Sequence, residues 1–92
     1  MELYERALSI DPRQPEAQYN TGYVLLDRGN PIGALPYFEG AVKADDRFAD
    51  AHFYLAMAYE SLGALDDART AWEAYLKLEP VGTWADIARR HL

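Results

Sequence analysis

Apolar residues return every third or fourth position along most of this chain, with charged and polar residues between them. That spacing gathers them on one face of a helix and predicts a succession of amphipathic α-helices. The stops are also legible. Pro15-Glu16 opens a helix running to about Arg28, and Gly29 ends it, because glycine takes the left-handed conformation common at helix termini. Asn30 caps the next helix, with Pro31 at the first helical position, where a missing N–H costs nothing. A third helix runs from about Phe48 to Leu62 and stops at Gly63. A fourth begins near Leu65, with Asp66 and Asp67 facing the positive end of its dipole, and ends before Pro80. Two single helices flank these four. Glu2 to Ile10 carries Leu3, Tyr4, Ala7 and Leu8 on one face. At the other end Thr83 reads as an N-cap with Asp86 three residues later, and Arg89, Arg90 and His91 sit at the negative end of the dipole. Pro36 falls inside the helix opened by Pro31, where it removes a hydrogen bond and crowds the carbonyl of Ile32, so a kink or a broken first turn is expected there.

The helices repeat as pairs. With a shift of 34 residues, Ala17 meets Ala51, Tyr19 meets Phe53, Leu25 meets Tyr59, Gly29 meets Gly63, Ala34 meets Ala68, Phe38 meets Trp72 and Val42 meets Leu76. Tyr4, Ala7 and Leu8 fall one period before Phe38, Ala41 and Val42. Even a surface pair recurs, since Glu39 and Lys43 return as Glu73 and Lys77, an acid four residues before a base. The predicted organisation is one domain: residues 1–14 as the second helix of a truncated repeat, 15–48 as repeat one, 49–82 as repeat two, and 83–92 as a C-terminal capping helix.

The second unit resembles the tetratricopeptide repeat, with Leu55, Ala56, Tyr59, Ala68, Trp72 and Pro80 at family positions and His52 where a tryptophan is usual. The first unit supplies Gly22, Ala34, Phe38 and Ala41, but has Gln18, Thr21 and Leu25 where other residues are expected, and Asp46 in place of the terminal proline. The resemblance implies an all-α fold, a right-handed α-α superhelix of antiparallel helix pairs, with about six helices. It implies that small residues (Gly22, Ala34, Ala56, Ala68) let helices approach while Phe38 and Trp72 fill the space between them. It also implies a concave face built by the first helix of each unit. Carried over position by position, that face comprises Glu16, Tyr19, Tyr23, Leu26 and Asp27, then Asp50, Phe53, Met57, Glu60 and Ser61, with Trp84 beyond them. One subclass of the family grips a chaperone's C-terminal carboxylate with lysine, asparagine and arginine. Those positions fall here on Tyr19, Tyr23, Tyr54, Trp84 and Ala88, so that activity is not implied.

Charge sharpens the partner class. Fifteen acidic residues against nine basic ones give a formal net charge of -6, which opposes nucleic-acid binding. The aromatic, acidic face therefore favours a protein or peptide partner with apolar and basic residues. No apolar stretch approaches the roughly 20 residues that span a bilayer, the start Met1-Glu2-Leu3-Tyr4-Glu5-Arg6 does not read as a secretory signal, and cytoplasm is the default expectation. There is no cysteine and no glycine-rich phosphate loop. His52 and His91 are far apart and read as packed or solvated, while Asp45-Asp46 and Asp66-Asp67 read as helix-cap and linker acids. No metal, cofactor or catalytic residue is implied. The expected function is a non-enzymatic protein-interaction module. Two alternatives stand beside it: a homo-oligomerisation device using the open face of the N-terminal helix, and a regulatory appendage of an enzyme in a longer protein.

Overall fold

The computed structural model describes residues 14–92, and the expected N-terminal helix, with the oligomerisation face assigned to it, lies outside the described residues. Five helices follow in order: α1 (Pro15–Asp27), α2 (Pro31–Ala44), α3 (Ala49–Ser61), α4 (Leu65–Leu78) and α5 (Thr83–Arg90). Each packs against the next, and α1 also meets α3. Three-residue links after α1 and α3 turn the chain back on itself, which makes α1/α2 and α3/α4 antiparallel hairpins.

Both hairpin turns are built alike. Gly29 has φ +81° and Gly63 has φ +77°. At the first, the Gly29 N–H reaches the Leu26 carbonyl (3.0 Å) and the Asn30 N–H reaches Leu25 (2.9 Å). At the second, Gly63 reaches Glu60 (3.0 Å) and Ala64 reaches Tyr59 (2.9 Å). These crossed bonds form a Schellman motif, which satisfies carbonyls that a helix end leaves orphaned and needs a left-handed residue at its centre. Asn30 caps α2 as expected, its side-chain oxygen accepting from the Gly33 N–H at 2.9 Å.

Of the kink or broken first turn expected at Pro36, the broken turn does not occur, because the helix continues from Pro31 through Pro36 to Ala44. Pro36 lies on an exposed face, and Ile32, whose carbonyl loses its donor, is 71% exposed, so water can replace the missing bond. Thr83 is not the N-cap of α5. Gly82, at φ 116°, occupies that position and the helix begins at Thr83 itself, without a side-chain cap.

Phe38 and Trp72 are the largest fully buried side chains, and alanines from α2, α3, α4 and α5 close around them. Gly22 shows how tightly: a Cβ there would lie 3.0 Å from Phe38 ring carbons, so α1 rests closely on the ring and a methyl group would push against it. Among the described residues no polar or charged residue is buried, and no helix is long and apolar enough to cross a membrane. The result is an apolar seam between successive helices, with α1 and α3 side by side along one flank.

Candidate functional site

On α1, Tyr23 lies four residues after Tyr19, and Leu26 and Asp27 lie three and four after Tyr23, so they share a face. On α3 the matching row is Asp50, Tyr54 and Met57. Where the helices meet, their tyrosines form a continuous set of rings. Tyr19 lies 6.3 Å from Tyr23 and 6.0 Å from Tyr54 between centroids, and Tyr23 meets Tyr54 edge to face at 5.2 Å and 84°. Tyr54 also stacks on Phe38 and touches the edges of Phe53 and Trp84. It is the hub of the cluster. Such edge and tilted contacts are the favoured geometries for aromatic pairs and hold the rings in fixed orientations.

Two recesses open on this flank. Tyr23, Leu26, Asp27, Tyr54 and Met57 line a groove of about 280 Å³. A broader recess of about 700 Å³ lies at the other end, between the starts of α1 and α3, and includes Glu16 and Asp50. Burial pushes the Tyr19 phenol up to about 12, with the Asp50 carboxylate adding to the shift and the Tyr54 and Tyr23 phenols contributing further. Burial also raises Tyr54, again helped by Tyr23 and Asp50. These two phenols are therefore neutral hydrogen-bonding groups at neutral pH.

Of the residues expected on this face, Glu16, Tyr23, Asp27, Asp50, Met57, Ser61 and Trp84 are exposed, and Tyr19 and Leu26 are half-buried. Tyr23 is 43% exposed and Trp84 49%. Phe53 is a correction. Only 3% exposed, it is enclosed by Trp72 (4.8 Å), Tyr75 (5.3 Å) and Trp84 (4.7 Å), all edge on, and belongs to the core. Its neighbour Tyr54 takes the place assigned to it.

Glu60 is likewise engaged within the molecule. Its carboxylate accepts the Trp72 indole N–H at 2.7 Å and meets His91 Nδ1 at 2.7 and 2.9 Å. His91 stacks on Trp72 at 4.8 Å and 23°. A buried indole needs an acceptor, and Glu60 supplies it while tying the end of α5 to α3 and α4. Behind the flank, Tyr59 donates to Glu39 at 2.5 Å, joining α3 to α2, and His52 Nε2 lies 2.9 Å from the Asp46 carbonyl.

Comparison with known proteins identifies the family and the fold. Two tetratricopeptide repeat family profiles match, one over residues 24–82 and one over residues 3–35. The TPR repeat-containing thioredoxin TTL4 of Arabidopsis thaliana is 36% identical over 67 residues, covering 73% of this chain and 10% of the relative. The chain thus spans about a tenth of the length of the curated relative it matches, and it carries no cysteine for dithiol chemistry. Among solved structures, the first TPR of Spaghetti (RPAP3), bound to the HSP90 peptide SRMEEVD, superposes with a TM-score of 0.81 at 22% identity. The match covers 98% of this chain and 72% of that one. That likeness shows the fold, an all-α right-handed superhelix of antiparallel helix pairs.

Proposed function

Because this chain belongs to the tetratricopeptide repeat family, we propose that it is a non-enzymatic protein-interaction module holding a peptide or helix of its partner along the concave flank of α1 and α3. Residues 15–48 and 49–82 are the two repeat units of that scaffold, and residues 83–92 pack against the second. The observation that carries the reading is the set of partly exposed rings Tyr19, Tyr23, Tyr54 and Trp84 on this flank, of which Tyr23 and Tyr54 line an open groove together with Asp27. Aromatic rings left accessible in a concavity are the usual anchors of protein interfaces.

The solved relative holds an acidic peptide. At the family's carboxylate-gripping positions this chain has Tyr19, Tyr23, Tyr54, Trp84 and Ala88, none of them a cation or an asparagine. Together with the net charge of -6, that favours an apolar and basic sequence instead.

Selection of displayed random peptides on this protein tests the reading. Enriched peptides should carry apolar and basic residues and lose about tenfold in affinity on Tyr23→Ala or Trp84→Ala, with the thermal melt nearly unchanged for the exposed Tyr23. Peptides that bind both variants as tightly as the parent would place the binding surface elsewhere.

A further inference from the structure

We propose that the groove between the C-terminal halves of α1 and α3 is a pocket for one arginine side chain of the partner, a reading that rests on this flank being the peptide-binding face. Its lining is Tyr23, Leu26, Tyr54, Met57 and Asp27: four apolar or aromatic walls and a single carboxylate, with no cation among them. Such a lining rejects an acidic group and leaves a bare cation poorly solvated, but suits a cation on an apolar stem. The Tyr23 and Tyr54 rings stand at 84° to one another, so two ring surfaces meet at a corner. A planar guanidinium laid on either ring gains a cation–π contact, and its methylenes lie against Leu26 and Met57. Asp27 completes the fit as a forked acceptor for guanidinium N–H groups.

The position of Asp27 adds a second attraction. It is the last residue of α1, so the pocket sits at the negative end of that helix dipole, where cations are favoured. Arginine matches better than lysine because the guanidinium is flat, stacks on rings and is more weakly hydrated than an ammonium.

The test uses the full chain and two small probes, N-acetyl-arginine amide and its neutral isostere N-acetyl-citrulline amide, titrated while backbone amide resonances are followed. The arginine probe should shift Tyr23, Asp27, Tyr54 and Met57 saturably, and the citrulline probe should bind at least about fivefold more weakly. Asp27→Asn should remove that difference while the circular-dichroism melt stays within a few degrees of the parent. Equal binding of the two probes, or shifts scattered away from these residues, overturns the pocket. The peptides selected on the groove separate the two levels of the reading. If Tyr23→Ala weakens them but replacing their arginines with citrulline does not, the pocket assignment falls and the groove stands. If neither change matters, both fall.

Discussion

At the scale of single residues, Phe38 and Trp72 occupy equivalent places in the two hairpins and both are fully buried. Replacing either by alanine should cost about 3 to 5 kcal/mol, a large share of the 5 to 15 kcal/mol typical of a small domain. Unfolding at moderate temperature in a thermal melt is the expected outcome for each. The two sites differ in one atom that matters. Trp72 has an N–H, and Glu60 is there to accept it at 2.7 Å; Phe38 has none, and one period before Glu60 stands Leu26. The polar acceptor accompanies the polar donor. Glu60→Leu alone should therefore destabilise by about 1 to 3 kcal/mol, because it orphans a buried indole N–H, whereas Glu60→Leu with Trp72→Phe copies the Leu26/Phe38 pair and should recover part of that loss. Urea denaturation of the four proteins of this double-mutant cycle measures the coupling; simple additivity would contradict it. The internal repeat aligned Phe38 with Trp72, but it did not show that Glu60 serves the indole, and its surface position sent Glu60 to the partner face. Phe53 was misplaced for a different reason. It lies three residues after Asp50 and four before Met57, and Tyr54 lies four after and three before. Helical spacing admits both, and only packing against Trp72, Tyr75 and Trp84 decides between them.

At the scale of elements, the ends of α1 and α3 were legible because a Schellman turn is local chemistry. Gly29 and Gly63 each adopt a conformation that costs other residues about 1 to 2 kcal/mol. A methyl group at Gly63 would meet nothing within 4 Å, so Gly63→Ala isolates the backbone term. A loss of about 1 kcal/mol in chemical denaturation is expected, and an unchanged midpoint would mean that the turn relaxes. The helix starts were read to within a residue, but not what sets them. Asn30 caps α2 through its side chain, but α3, α4 and α5 begin after Phe48, Ala64 and Gly82 with no side-chain cap. Their starts are set by the preceding turn and by packing, which the one-dimensional pattern around Thr83 does not record. The hub role of Tyr54 is likewise absent from the pattern, because it arises only when α1, α2 and α3 bring Tyr19, Tyr23 and Phe38 around one ring.

At the scale of the whole molecule, the phenols link the groove to the stability of the fold. Tyr19, Tyr54, Tyr59 and Tyr75 are all raised above the ordinary tyrosine value of 10.0, each chiefly by burial. Asp50 adds to the shift at Tyr19, Tyr54 and Tyr75, while the hydrogen bond to Glu39 and that residue's charge add to it at Tyr59. A phenol whose folded pKa exceeds its unfolded one favours folding in its neutral form. That contribution is complete below pH about 10 and is lost as the pH rises through the folded value, about 12 for Tyr19. The melting temperature should therefore show no tyrosine-linked fall below pH about 10 and drop steeply between about 10 and 12, with absorbance reporting the phenols ionising as the helices melt. Asp50→Asn removes a carboxylate shared by three of these rings, so it should lower the onset of ionisation at Tyr19, Tyr54 and Tyr75 while leaving Tyr59 to its contact with Glu39. Free titration of all the tyrosines near 10.0 with the helices intact would mean that the rings of α1 and α3 are solvated, leaving no ordered aromatic surface for a partner to recognise.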